Sequence, residues 1–267
     1  VPPEHPDGAG DAQIARARLP IIAIDGPGGA GKSTVARRVA ERVGFVYLDT
    51  GAMYRAVTRA ALDAGLAAED GSLPPEAVTA VAETADIELR RDGRAQRVLL
   101  NGTDVTHAVR QPEIERLVAG VAAVPGVRRA LVPQQRRMAR RGGVVVDGRD
   151  IGTSVLPDAE CKFFITADFD TRVERRYREL CRRVREVERA RVASDLRARD
   201  HMDETRAEGA LRRAPDAVLV DTTDLTVEEA VEQVLSLCPG VVLAAALAGR
   251  VPPGAGAEAG DSEAGGP

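Results

Sequence analysis

Aromatic residues are nearly missing from this chain: it has no Trp, three Tyr and four Phe among 267 residues. A core must therefore rest on Val, Leu, Ile and Ala, and the length is enough for one large or two small domains built that way. Lysine is scarcer still, since only Lys32 and Lys162 among the 37 basic residues are not arginine. The three cysteines, Cys161, Cys181 and Cys238, lack metal-ligand spacing and form an odd set. They fit buried or inert thiols in a reducing cytoplasm. Long apolar runs are absent, and the stretch from Val241 to Ala248 is far shorter than the ~20 residues of a membrane span. The net charge of −4 offers no general attraction for nucleic acid. Residues 1–18 are rich in Pro, Gly and Ala with no apolar signal segment, and read as a flexible leader. Residues 239–267 read as a low-complexity tail, leaving a working domain at 19–238.

What is present begins with Gly26-Pro27-Gly28-Gly29-Ala30-Gly31-Lys32-Ser33, which fits G-x-x-x-x-G-K-[ST]. Before it, Pro20 to Asp25 is a short apolar, β-branched run, as in a buried parallel strand. After it, Val35, Ala36, Val39, Ala40 and Val43 recur at helical spacing. A strand, a glycine loop and a helix in that order form a phosphate cradle. The glycines let successive N–H groups point at one phosphate, and the helix N-terminus adds positive potential. Lys32 is then placed for the β- and γ-phosphates, Ser33 for Mg²⁺, and Thr34 for the start of the helix. The motif implies binding of a nucleoside triphosphate, ATP in the simplest case.

Strand and helix patterns alternate along the rest of the domain. Apolar strands are predicted at 45–48, 142–147, 161–165 and 217–221, and amphipathic helices at 112–123, 126–140 and 226–237. This is the pattern of an α/β fold, three layers with a parallel sheet between helices, whose ligands gather at the carboxyl ends of the strands. Residues 70–110 break the alternation. Asp92-Gly93 and Asn101-Gly102 read as hairpin turns between short strands, giving a small antiparallel β insertion that rides on the main sheet.

Three clusters say what the phosphate is for. Asp49-Thr50-Gly51-Ala52-Met53-Tyr54-Arg55 follows a strand end and carries Arg55 one turn into a helix, which makes either an anion site or an ordinary capped helix. Asp147-Gly148-Arg149-Asp150 ends another strand. Asp147 is placed to help hold Mg²⁺, Gly148 allows close backbone approach, and Arg149 and Asp150 either face the same crevice or pair with each other. The arginine-laden stretch from Arg172 to Arg206 is either a solvated helical face or a lid that closes over triphosphate. Within it Arg199, Asp203 and Arg206 recur at helical spacing.

These segments together resemble the bacterial cytidylate kinase family of P-loop nucleoside monophosphate kinases. The resemblance runs through IDGPGGAGKST at 24–34, LDTGAMYRA at 48–56, PGVRRALVPQQR at 125–136, DGRDIGTSVLPDAE at 147–160 and RDHMDETR at 199–206. It implies a P-loop kinase with a helical lid at about 170–206, transferring the γ-phosphoryl of ATP to CMP or dCMP with Mg²⁺. Thr50, Arg55 and Arg149 would then hold the acceptor's 5′-phosphate, and Arg128 and Asp150 would read the cytosine edge. Asp203 with Arg206 would serve the ribose, and Tyr54 and Gly148 would join the substrate-binding set. Arg199 would be a lid arginine over the moving phosphoryl. A self-contained site of this kind needs no protein partner, nucleic acid or membrane, so a cytoplasmic monomer is expected. Two positions depart from the family's pattern: Ala119 stands where a base-contacting Ser is common, and Ala210 where Pro is frequent.

Two other readings compete. One is a P-loop kinase with a different small acceptor, another nucleotide or shikimate. The other is a switch ATPase or GTPase whose arginine-rich helix grips RNA. The guanine-reading N-K-x-D is excluded, because neither Lys32 nor Lys162 follows an Asn.

Overall fold

A computed structural model describes residues 18–92, 95–182 and 186–249. The expected leader, but for Arg18, and the chain after Gly249 lie outside the described residues, as does Gly93 of the first expected hairpin turn.

Five strands form the main sheet: β1 (Ile21–Asp25), β2 (Val46–Asp49), β6 (Val144–Asp147), β7 (Cys161–Thr166) and β8 (Val218–Asp221). Their order is β2-β6-β1-β7-β8, with every pair parallel. Strand β1 is buried at every residue because it lies at the centre and is covered on both faces. Its side chains alternate. Ile22 and Ile24 pack under α1 (Lys32–Val43) and α8 (Val227–Ser236), together with Val39, Phe163, Ile165 and Val231. Ile21 and Ala23 face the opposite layer with Leu48, Val146, Ile151 and Val155. The parallel sheet predicted from continuous apolar runs is thus present, and each predicted strand lies within two residues of its observed place.

A second apolar cluster lies beyond the carboxyl edge of β2. It joins α2 (Thr50–Asp63), α3 (Pro75–Thr84), α4 (Pro112–Ala123) and α5 (Pro125–Ala139) to a separate antiparallel sheet. That sheet is β3 (Ile87–Asp92), β4 (Ala95–Leu100) and β5 (Thr103–Asp104). Asn101 and Gly102 both have positive φ, 49° and 78°, as a tight hairpin turn between β4 and β5 demands. The insertion is not all β, however. Helix α3 opens it, with Pro75 in its first turn and Val78 and Ala82 buried one turn apart.

The arginine-rich region forms two helices, α6 (Phe169–Cys181) and α7 (Arg189–Thr205). Their shared core is small, with only Val173, Val192 and Leu196 fully buried in it. Phe169, Tyr177, Leu180 and Ala193 pack partly buried against it, and much of the rest is arginine and acid.

Two expectations are corrected. The stretch read as a low-complexity tail begins with α9 (Pro239–Leu247), whose Val241 and Ala245 are buried in the main core. The spacing of those two residues, one turn apart after Pro239, seats the helix against α1 and α8. Cys161 and Cys238, expected as inert thiols, are joined as a disulfide with Cα atoms 6.4 Å apart. The topology sets the start of β7 beside the junction of α8 and α9, a proximity that a separation of 77 residues conceals. Cys181 is free and exposed. No single helix among the described residues is long and apolar enough to cross a membrane.

Candidate active site

The glycine loop joins β1 to α1 in the form its sequence requires. Gly26, Gly29 and Gly31 have φ of 144°, 76° and 88°, all in the region that favours glycine. A side chain at Gly26 would collide with the Ile165 carbonyl of β7. At Gly28 a Cβ would lie 3.1 Å from Leu196 and 3.9 Å from an Arg149 guanidinium nitrogen, so the cradle lies directly beneath α7. Pro27, Ala30 and Thr34 complete the loop and first turn. Lys32, the first residue of α1, is buried and donates from Nζ to the Pro27 carbonyl at 2.7 Å. Burial, with Arg149 nearby, lowers its pKa to about 7.

Asp25, directly before the loop, holds that loop to the next strand end. Its two carboxylate oxygens accept from the backbone N–H of Ile151 and of Gly152, each at 2.8 Å. Burial nevertheless outweighs those bonds and raises its pKa to about 6. At the end of β6, Asp147 is buried, with Tyr47 donating to it at 3.3 Å and the Ser33 hydroxyl close enough to lower its carboxyl pKa. Burial and the neighbouring Asp49 raise the Asp147 carboxyl to about 6.

Beside the phosphate loop stand α2, α5 and the turn after β6. Asp49 caps α2 by accepting from Ala52 N at 3.0 Å, and it also pairs with Arg55 at 2.5 Å. Thr50 donates to the Asp147 carbonyl at 2.7 Å, locking α2 to β6. Gly148 lies under that contact, where a Cβ would be 2.8 Å from the Thr50 hydroxyl. Arg128 of α5 is buried; it donates to the Tyr54 hydroxyl at 3.2 Å and is paired with Asp150.

Arg149 and Asp150 do not pair with each other. Arg149 Nε donates to Asp203 of α7 at 2.7 Å, while Asp150 faces Arg128 and, at 3.6 Å, Arg206. Arg206 lies just past the helical residues of α7, with ψ of 144°, and still reaches Asp203 at 3.7 Å. Arg199 is half-buried, and desolvation beside Arg149 lowers its pKa to about 10. Arg128, Asp150, Arg206, Asp203 and Arg149 thus form one chain of ion pairs that links α5, the turn after β6 and the end of α7. The arginine-rich region combines both expected features: i,i+3 and i,i+4 pairs at Arg176–Glu179 and Arg178–Glu174, and contacts from Arg172 and Asp203 to the phosphate loop and to Arg149.

Several participants were not foreseen. Arg172 of α6 donates to the Gly28 carbonyl at 3.1 Å and to Asp200 of α7 at 2.6 Å, tying the lid to the phosphate loop. Glu115 of α4 pairs with Arg176 of α6. Gln135 is buried on α5, and neither amide atom has a partner. Asp25 could have been found, because an acid ending an apolar strand repeats the pattern of Asp147. Arg172 and Glu115 act through long-range pairs that no local spacing betrays.

A central parallel strand feeding a glycine loop, a buried loop lysine, and arginines brought over it by a charged helix pair define a P-loop phosphotransferase. Residues 22–239 match the family model for cytidylate kinase. The chain is 50% identical over 216 residues to a cytidylate kinase of Desulfitobacterium hafniense, covering 81% of this chain and 91% of that one. It is 48% identical over 216 residues to a cytidylate kinase of Carboxydothermus hydrogenoformans, covering 81% and 96%. Among solved structures there is a remote likeness to a shikimate kinase from Acinetobacter baumannii in complex with shikimate. Identity is 17% and the TM-score 0.42, over 83% of this chain and 94% of that one. The chain belongs to the cytidylate kinase family.

Proposed function

We propose that this protein transfers the γ-phosphoryl group of ATP to the 5′-phosphate of CMP or dCMP, giving ADP and CDP or dCDP. The observation that carries the acceptor reading is the buried Arg128–Asp150–Tyr54 group facing the Arg149–Asp203 pair across the crevice. A carboxylate and a guanidinium side by side suit cytosine, which offers an amino donor at N4 and acceptors at N3 and O2. Asp203 accepts from the ribose hydroxyls, with Arg206 beside it. Thr50, Arg55 and Arg149 hold the 5′-phosphate, and Tyr54 fixes the direction of Arg128.

At the donor side, the backbone of residues 26–34 and Lys32 hold the β- and γ-phosphates. Ser33 and Asp147 are neighbouring hard oxygen donors, a set that suits Mg²⁺ shared with substrate phosphates. Bound there, the ion would neutralise charge on the β,γ-bridging side of the triphosphate. An oxygen of the acceptor phosphate forms the new bond to the γ-phosphorus as the bond to the ADP oxygen breaks. The nucleophile is already anionic, so no side chain has to remove a proton. Arg149 and Arg199 bind the spread charge of the moving group, and the remaining residues fix in-line geometry. This reading places the enzyme in the cytoplasm as a monomer acting on small molecules.

The experiment is a coupled ADP-release assay with ATP and Mg²⁺ against CMP, dCMP, UMP, AMP, GMP and shikimate. Turnover led by CMP and dCMP is expected, and silence on both overturns the reading. Lys32→Ala should lower kcat by about two orders of magnitude or more while CMP binding, followed by calorimetry, holds. Near-normal turnover in that variant would remove the P-loop from the mechanism.

A further inference from the structure

Glu115 belongs to none of the segments that carry the family resemblance, yet it lies at the meeting point of the acceptor side and the lid. In the first turn of α4, its carboxylate accepts from Arg176 Nη2 of α6 at 2.9 Å and faces Arg199 Nη1 of α7 at 3.8 Å. Its field also reaches Arg55 of α2. Two guanidinium groups of the two charged helices thus converge on one carboxylate, while Arg55, paired with Asp49, lies within reach of its field. Burial pushes the Glu115 carboxyl up, but Arg176, Arg55 and Arg199 outweigh it and hold the group below the ordinary range.

The cluster is incompletely satisfied. The Nε atoms of Arg55 and Arg199 are buried and have no hydrogen-bond partner. Buried guanidinium N–H groups left in this way await an anion stronger than the one beside them. The other carboxylates around the crevice have further ties: Asp49 caps α2, and Asp150 and Asp203 are paired with Arg128 and Arg149. Glu115 makes no such second bond; its partners are arginines of the lid.

We propose that Glu115 is a positioning residue, a built-in anion that holds Arg176 and Arg199 over the acceptor site until substrate phosphate takes its place. The proposal rests on the reading above, in which Arg55 binds the acceptor phosphate and Arg199 the moving group. A carboxylate carries one charge and a nucleotide phosphate close to two, so phosphate wins the arginines when it arrives. While it is charged, Glu115 competes with that phosphate. It therefore keeps the lid arginines gathered at the cost of tight binding.

The test is calorimetric titration of CMP into the full chain as wild type, Glu115→Gln and Glu115→Asp, with turnover measured in parallel. Neutralising the competitor in Glu115→Gln should tighten the Kd for CMP about 3- to 10-fold, whereas Glu115→Asp, which keeps the charge, should stay within about twofold of wild type. A residue that merely braced the lid would give the opposite sign, so an unchanged or weaker Kd in a folded Glu115→Gln overturns the proposal. Melting curves establish folding, and Glu115→Ser serves as a second neutral variant. A wild type that neither binds nor phosphorylates CMP would strike the acceptor reading itself and take this inference with it. A CMP-active wild type with no tightening strikes the inference alone.

Discussion

In the proposed reading base recognition depends on a few buried atoms, so single substitutions there should change selectivity more than rate. Ala119 lies buried on α4, and the family resemblance implies a base-contacting serine at this position. Restoring one hydroxyl contact is worth about 0.5–1.5 kcal/mol. Ala119→Ser should therefore raise the CMP-over-UMP ratio of kcat/KM by about 2- to 12-fold. A ratio that does not move would mean that this position does not face the base. Gly209 gives a sharper case. Its φ is +64°, and a Cβ there would collide with both the Arg128 guanidinium and the Asp150 carboxylate. Gly209→Ala should raise KM for CMP about tenfold or more while KM for ATP stays near wild type, because only the base pair of side chains is displaced. Equal losses for both substrates would show that the effect is general unfolding of the lid. The residues of the glycine loop and of the Asp147–Asp150 turn were legible because their spacing is local. Gly209 was not, since its importance comes from two side chains that arrive from α5 and from the turn after β6.

Helix against helix, the acceptor side is held by close approach rather than by large side chains, as a chain with so few aromatics demands. Helices α3 and α5 meet where Gly126 faces Thr79, and a Cβ at Gly126 would lie within 2.9 Å of the Thr79 Cβ and closer still to its branch atoms. Two effects oppose each other in Gly126→Ala. Alanine gains about 0.5–1 kcal/mol of helix propensity over glycine, whereas overpacking costs about 1–3 kcal/mol. Overpacking wins, so the variant should lose about 1–2 kcal/mol in denaturant unfolding. A gain in stability would show that the two helices separate freely. The strands of the main sheet were legible as continuous apolar runs, which is what a parallel sheet covered on both faces demands. Helix α3 was missed because turn residues on either side of it made the whole insertion read as hairpins. Helix α9 was missed because its alanine-rich composition resembles that of the low-complexity stretch after it, and only the burial of Val241 and Ala245 separates the two.

Over the whole molecule, the crevice is maintained by buried charge that costs stability, and Asp25 shows the balance most clearly. Its carboxylate links the end of β1, the start of the phosphate loop and the turn after β6 through the Ile151 and Gly152 N–H groups. Burial raises its pKa from 3.8 to about 6. The folded state therefore holds this proton more tightly than the unfolded chain. The stability contributed by the protonated group is fully present below about pH 4 and is lost as pH rises through 6. Carboxylates held below their ordinary range, such as Asp203 and Glu115, act in the opposite direction and lose their contribution as pH falls. Total stability thus mixes the two, and a difference measurement separates them. Asn at position 25 is neutral throughout. The cost of turning an amide donor toward the Ile151 or Gly152 N–H is a constant offset, so only the slope of the difference belongs to the carboxyl. Unfolding free energies of wild type and Asp25→Asn, taken from denaturant titrations between pH 4 and pH 8, should converge or cross in one direction. Relative to the variant, wild type loses on the order of 2–3 kcal/mol between pH 4 and about pH 7 and nothing further above it. A difference that stays constant across the range would mean that Asp25 keeps an ordinary carboxylate pKa when folded. The bonds to Ile151 and Gly152 would then offset its burial in full.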